Sequence, residues 1–332
     1  MMDSTDHSQP EDWKGPPADN GGRATAPEQI TARGWKQVAL RTWSQSSEDN
    51  IGLVAAGVAF YAFLALVPML GATVLTYGLI AAPETVLSNV RTMTDVMPAE
   101  AATLVGEQLM GVVQTSGGKK GIGLLLALAI ALFGARNAAG SVITALNIAY
   151  EEEESRGLIK VNLLALSITM VAVILAIAAM LVVAALGHVE KLLPELTADL
   201  LLIGKIASYA ILLAAAAASA AALYRYGPDR KKAKWIWITP GSMLASVGWI
   251  LLTLGFGVYA ANFADYGETY GSLATVVVLL TWMFLSAYVL LFGAELNSEL
   301  EHQTVEDTRV GAPKPMGRRE AWSADHVAGE PE

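Results

Sequence analysis

The chain has 332 residues, of which 54% are hydrophobic and only 16% charged, with a formal charge of −9 and no cysteine. A soluble domain carries about a quarter charged residues, so this deficit excludes the ordinary soluble class. The acidic balance argues against a nucleic-acid partner. The missing cysteines exclude disulfides, thiolate metal sites and cysteine nucleophiles. The histidines, His7, His188, His302 and His326, lie too far apart for metal-ligand spacing, and no metal or cofactor is expected.

In chain order, residues 1–31 are polar, rich in Pro, Gly and Asp, and lack the basic-then-apolar order of a cleaved signal. They read as a disordered cytoplasmic tail, and 303–332 have the same character. Between them a membrane domain is expected over 32–302, with charge-poor runs predicting about six transmembrane helices near 51–82, 121–149, 161–187, 201–224, 236–263 and 270–294. Each run reaches the roughly 20 residues that cross a hydrocarbon layer of about 30 Å. None shows the ten-residue alternation of barrel strands, so the fold class is an all-α polytopic bundle. Pro68 interrupts the first run and predicts a kink or a strong tilt there. The loop after it, about 84–114, has helical apolar spacing and predicts an amphipathic segment on the outer face.

Lys and Arg sort the loops. Lys14, Arg23, Arg33, Lys36 and Arg41 precede the first run, Arg156 and Lys160 follow the second, and Arg225, Arg230, Lys231, Lys232 and Lys234 follow the fourth. The opposite side collects Arg91, Lys119, Lys120, Lys191 and Lys205. The positive-inside rule therefore puts both termini in the cytoplasm of a multi-pass bacterial inner-membrane protein.

Several motifs stand in a fixed order: AAGVAFYAFLALVP from Ala55, ALNIAYEEEESRG from Ala145, PDR at Pro228 to Arg230, TPG at Thr239 to Gly241, Tyr270-Gly271-Ser272, and GAELN at Gly293 to Asn297. With these, the chain from about Trp35 to His302 resembles the YihY/BrkB family of bacterial inner-membrane proteins. The resemblance implies a six-helix membrane protein. Some members have carried a ribonuclease BN label and others a virulence-factor label, and no catalytic or binding residue is carried over.

Individual residues suggest chemistry. Arg136 lies near the centre of the second run, where a guanidinium costs about 2.5 kcal/mol or more unless it faces the bundle interior, water or a partner. It reads either as an anion or lipid-headgroup contact or as a cation snorkelling to the cytoplasmic face. Its partners could be Asn137, a helix carbonyl or Glu295, and Asn297 stands near Glu295 at the end of the last helix. Asp265 and Glu268 form an outer-face acid pair, read as a shared cation or proton site or as solvated loop acids. Arg230, Lys231, Lys232 and Lys234 beside Trp235 suit contact with anionic phospholipids of the cytoplasmic leaflet. The acids from Glu151 to Glu154 read as a solvated turn. Small residues at Gly241, Ala245 and Gly248 mark a close helix contact. No Walker A, HExxH, GxSxG or zinc spacing occurs, so no enzyme activity is indicated. The reading is an inner-membrane protein that transports or flips a small solute, ion or lipid-like substrate along Arg136, Asn137, Glu295 and Asn297. A non-transporting scaffold or envelope-integrity factor is the alternative, and a membrane-bound ribonuclease the third.

Overall fold

The computed structural model describes residues 20–80, 120–192, 198–262 and 272–328. Helix α1 (Ala32–Glu48) leads into six long helices: α2 (Ile51–Ile80), α3 (Lys120–Ala149), α4 (Leu158–Leu192), α5 (Ala198–Tyr226), α6 (Trp235–Asn262) and α7 (Ser272–His302). A short α8 (Trp322–Asp325) closes the described chain. Among the described residues the only extended pairing is an isolated antiparallel bridge between Ala233 and Arg309. The expected outer segment at about 84–114, and Asp265 and Glu268, lie outside the described residues.

Local sequence explains where α1 begins and ends. Thr31 caps it, its hydroxyl accepting from the Gly34 amide at 3.3 Å. At the other end Asn50 takes a left-handed φ of 53°, which asparagine tolerates better than most residues. That break turns the chain by 64° from α1 into α2. α2 itself continues through Pro68 to Ile80.

Large apolar side chains such as Leu53, Phe60, Phe133, Leu158, Leu251 and Leu254 face outward, while small ones such as Ala55, Ala145, Ala220, Ala287 and Ala294 fill the interior. In water this arrangement would expose far more apolar surface than a monomer tolerates, whereas acyl chains cover it without cost. Among the described residues, Trp235–Tyr259 and Val276–His302 are long and apolar enough to cross a bilayer. α1 and the start of α2 make a third if taken as one bent span. Among the described residues the fold is all-helical, with the apolar outer face of a membrane protein.

One core joins Ile51 and Val58 of α2, Leu146 of α3, Tyr224 of α5, Ile238 of α6 and Leu291 of α7. α4 packs through Ala165 against Ala139 and Ile143 of α3. α6 and α7 meet at Gly241, where the Gly241 amide donates to Asn297 Oδ1 at 2.8 Å. Ala245 lies against Gly293, and Gly248 faces Val289, so the small-residue stripe on α6 meets α7 as its spacing predicts.

Both expected tails need correction where they are described. Residues 20–30 lie against the end of α7: Thr304 donates to the Ala24 carbonyl at 2.8 Å and Gln303 to the Asn20 carbonyl at 3.0 Å. Residues 303–328 fold over the same end of the bundle. Buried Arg319 donates to the carbonyls of Val305, Glu306, Lys314 and Ala324. Trp322 stacks on His326 at 4.4 Å and meets the His302 ring edge-on at 4.8 Å. Composition reads such a segment as unable to form a core. Its order comes instead from hydrogen bonds to helix ends, which composition does not register.

Candidate functional site

The end of the bundle that carries α1, the α3–α4 loop, the α5–α6 loop and the C-terminal segment holds most of the described ion pairs. Two loops are locked there by one short network. Arg156 donates to Glu154 at 2.7 and 2.5 Å and lies 3.5 Å from Asp229. Asp229 accepts from the Ser155 amide and hydroxyl at 2.7 and 2.5 Å. Asn147 closes the ring, donating to Glu154 at 3.0 Å and accepting from the Asp229 amide at 2.8 Å. The run of four glutamates is thus not a uniformly solvated turn. Glu153 and Glu154 are exposed, whereas Glu151 and Glu152 are half-buried. Glu152 accepts the Trp322 amide at 2.8 Å, tying the loop to α8.

Arg230 corrects the expectation of a lipid contact. Its side chain is 2% exposed and pairs at 2.7 Å with Glu301, which is 0% exposed. Its guanidinium lies 5.0 Å from the Tyr150 ring centre, and Thr308 donates to the same Glu301 oxygen. A planar cation finds stacking and a carboxylate inside the protein, and together these outweigh the burial that opposes its charge. Lys231 pairs with Glu320 at 3.0 Å, and Lys234 donates to the Asp307 carbonyl at 2.7 Å, so the C-terminal segment takes up both. Lys232 remains over the Tyr226 ring, and exposed Trp235 stacks edge-on against Tyr226 with Arg225 above it at 4.4 Å.

Arg136 is half-buried on α3 and reaches across to α4. Its Nε and Nη2 donate to Asn162 Oδ1 at 2.9 and 2.5 Å, and Nη1 donates to Asn137 Oδ1 at 2.8 Å. Both partners are neutral, and Arg136 does not take Glu295. Glu295 in turn has no cation: it is fully buried on α7, and neither of its oxygens receives a donor. Asn297, two residues on, is a helix-contact residue that holds Gly241. The four expected path residues therefore fall into two places, Arg136 with Asn137 between α3 and α4, and Glu295 with Asn297 between α7 and its neighbours. Asn162 completes the first of these places and carries no sequence signal of its own. Among the described residues no three His, Asp or Glu side chains gather as metal ligands.

The model of the family described as Virulence factor BrkB matches residues 42–317. The chain belongs to the BrkB family. Relatives include a Bacillus subtilis protein named putative ribonuclease-like protein YfkH, 30% identical over 61% of this chain and 74% of its own. A UPF0761 membrane protein of Alteromonas mediterranea is 27% identical over 80% of this chain and 90% of its own. Another from Pseudoalteromonas translucida is 38% identical over 21% of this chain and 23% of its own. No solved structure matches.

In this BrkB-family chain four of the ordered motifs meet in pairs. The loop motifs ESRG and PDR are the two halves of the Glu154–Arg156–Asp229 network, and TPG meets GAELN through Gly241 and Asn297. The matched region also takes in residues 303–317, inside the segment that composition assigns to a tail.

Glu151 gives the acid cluster a pH signature. Burial first, then the charges of Asp49, Glu299 and Glu48, push its carboxyl up to about 7. A folded-state value above the unfolded one means the folded protein binds the extra proton, so stability falls as pH rises from about 4.5 through about 7. Glu151→Gln is expected to remove that slope. Thermal inactivation of the detergent-purified proteins should show the variant more stable than wild type above pH 7, the gap closing toward pH 4.5. Parallel curves across the range would contradict it.

Proposed function

We propose that this is a six-span inner-membrane protein with both termini in the cytoplasm, and that it moves a small anionic or lipid-like substrate past Arg136. The observation that carries this reading is the charge state of that site: a guanidinium midway along a long apolar helix, met by two neutral amide oxygens. Holding an arginine charged in a bilayer is costly, and hydrogen bonds to neutral oxygens orient the cation without cancelling it. A phosphate or carboxylate headgroup supplies the missing charge and forms the strong bidentate bonds that guanidinium favours. The slant of Arg136 toward Asn162, near the start of α4, supports a site on the side of the α3–α4 loop. There Lys232, Tyr226 and Trp235 offer an anionic leaflet a cation and two aromatic rings.

Reconstitution into liposomes with fluorescently labelled phosphatidylglycerol tests the reading. Wild type should accelerate movement of the label between leaflets. Arg136→Ala should slow it by about tenfold or more, corresponding to the loss of about 1.4 kcal/mol or more of charge-assisted bonding. Wild-type vesicles no faster than empty ones would sink the transport reading and favour the non-transporting scaffold.

A further inference from the structure

The turn from α5 into α6 is crowded with cations, and the fold sorts them into two kinds. Arg230 and Lys231 pair with Glu301 and Glu320, and Lys234 donates to the Asp307 carbonyl. Among the described residues Arg225 and Lys232 have no carboxylate, and their side chains meet a carbonyl and two aromatic rings instead. Arg225 lies in the last turn of α5, where its Nη1 donates to the Ala233 carbonyl and its buried Nε has no acceptor among the described residues. Its guanidinium stands 4.4 Å from the centre of the Trp235 ring and 5.8 Å from that of Tyr226. Lys232 Nζ lies 4.7 Å from the centre of the same Tyr226 ring, so one tyrosine brings the two cations together.

A ring face holds a cation in place without neutralising it. Two positive charges against one ring repel each other, and the partner that relieves them is an anion. α6 opens at Trp235, and the first amides of a helix add partial positive charge at that end. Apolar surface then selects which anion fits. From Ile236, beside Trp235, an exposed stripe continues through Met243, Val247 and Leu254, whose spacing puts them on one face of α6. A free phosphate gains nothing from such a track, whereas a phospholipid with its headgroup at the cations lays its acyl chains along it. We propose that Arg225, Lys232, Tyr226 and Trp235 form a binding site for the headgroup of one anionic phospholipid, whose chains lie against α6.

This lipid is resident rather than carried. Its site lies where α5 meets α6, whereas Arg136 reaches from α3 to α4. It deepens the leaflet contact proposed above, and rests on that reading only in taking the apolar outer face of the bundle to be in lipid. A diffuse basic patch would use every cation of the turn. Here the C-terminal segment already holds Lys231 and Lys234, which directs the anion to Arg225 and Lys232.

Native mass spectrometry of the full-length protein in detergent tests this, with phosphatidylglycerol as the probe and phosphatidylcholine of the same chains for comparison. Wild type should retain one phosphatidylglycerol per chain at concentrations that leave phosphatidylcholine unbound. Arg225→Gln and Lys232→Gln should each weaken retention about fivefold, the scale of one cation beside an anionic headgroup. Lys231→Gln should leave it unchanged, because that lysine is held by Glu320. Lys232 is exposed, so its variant keeps the test open if Arg225→Gln fails to fold. Equal retention of the two lipids, or a loss in Lys231→Gln as large as that in Lys232→Gln, would overturn the site. Displacement of phosphatidylglycerol by millimolar inorganic phosphate would also overturn it, assigning the cations to a free anion. The lipid is counted at rest, so movement past Arg136 can fail while this site stands, and the reverse.

Discussion

Arg230→Met is expected to shorten the lifetime of the folded protein on heating more than any other change to a charged residue of the α5–α6 loop. It leaves Glu301 at 0% exposure with its cation gone and only Thr308 still donating. Removing one partner of a buried pair costs about 3–5 kcal/mol, because the remaining charge has lost both water and counter-ion. Removing the second charge reverses most of that cost, so Arg230→Met with Glu301→Gln should recover much of the wild-type lifetime. The glutamine oxygen can still accept from Thr308, and methionine can lie against the Tyr150 ring. Lys231→Ala is the contrast, since its pair with Glu320 is more than half exposed and such pairs contribute about 0–1 kcal/mol. Inactivation half-lives in detergent at a fixed temperature measure all three, and membrane proteins that unfold irreversibly are best compared by such rates. An Arg230→Met protein as long-lived as wild type would mean that the pair is open to water.

Hydropathy made the helices legible because it is a local property. The expected 121–149 and 236–263 fall within a residue of α3 and α6. The last expected helix stops at 294, whereas α7 runs to His302, because Asn297 and Glu299 have partners on α6 and α1 that make polar residues tolerable inside a packed helix. Helix α5 begins at Ala198, three residues before the expected 201. Charge was legible in kind but not in place. Arg136 stands out in any apolar run, yet its partner Asn162 is 26 residues away on the next helix. Arg230 sits in a loop that looks uniformly basic, and its burial depends on Glu301, 71 residues later. Glu295 was visible as a helix-end acid, but not that the packing of α7 leaves it fully buried with no donor on either oxygen. Nothing local marks a residue whose role is set by what a distant helix brings to it.

Gly241→Ala should separate α6 from α7, because the contact there is made by backbone on backbone. A methyl group at Gly241 would lie 2.0 Å from the Gly293 carbonyl oxygen and 2.5 Å from the Asn297 amide. The asparagine can rotate away, but the carbonyl belongs to a helix and cannot. Pro240 sharpens the requirement, since it removes one amide from the α6 ladder and leaves the next, that of Gly241, to donate to Asn297. A clash that shifts the helix therefore also breaks this bond, and the combined loss is expected to be about 3 kcal/mol or more. Gly255→Ala, on the same helix, is the control. An added methyl there meets nothing within 4 Å, and the alanine should stabilise α6 by about 0.5–1 kcal/mol. The two substitutions change the same atoms on one helix and should shift inactivation rates in opposite directions. Equal shifts would show that helix propensity governs both sites and that α6 and α7 do not meet at Gly241.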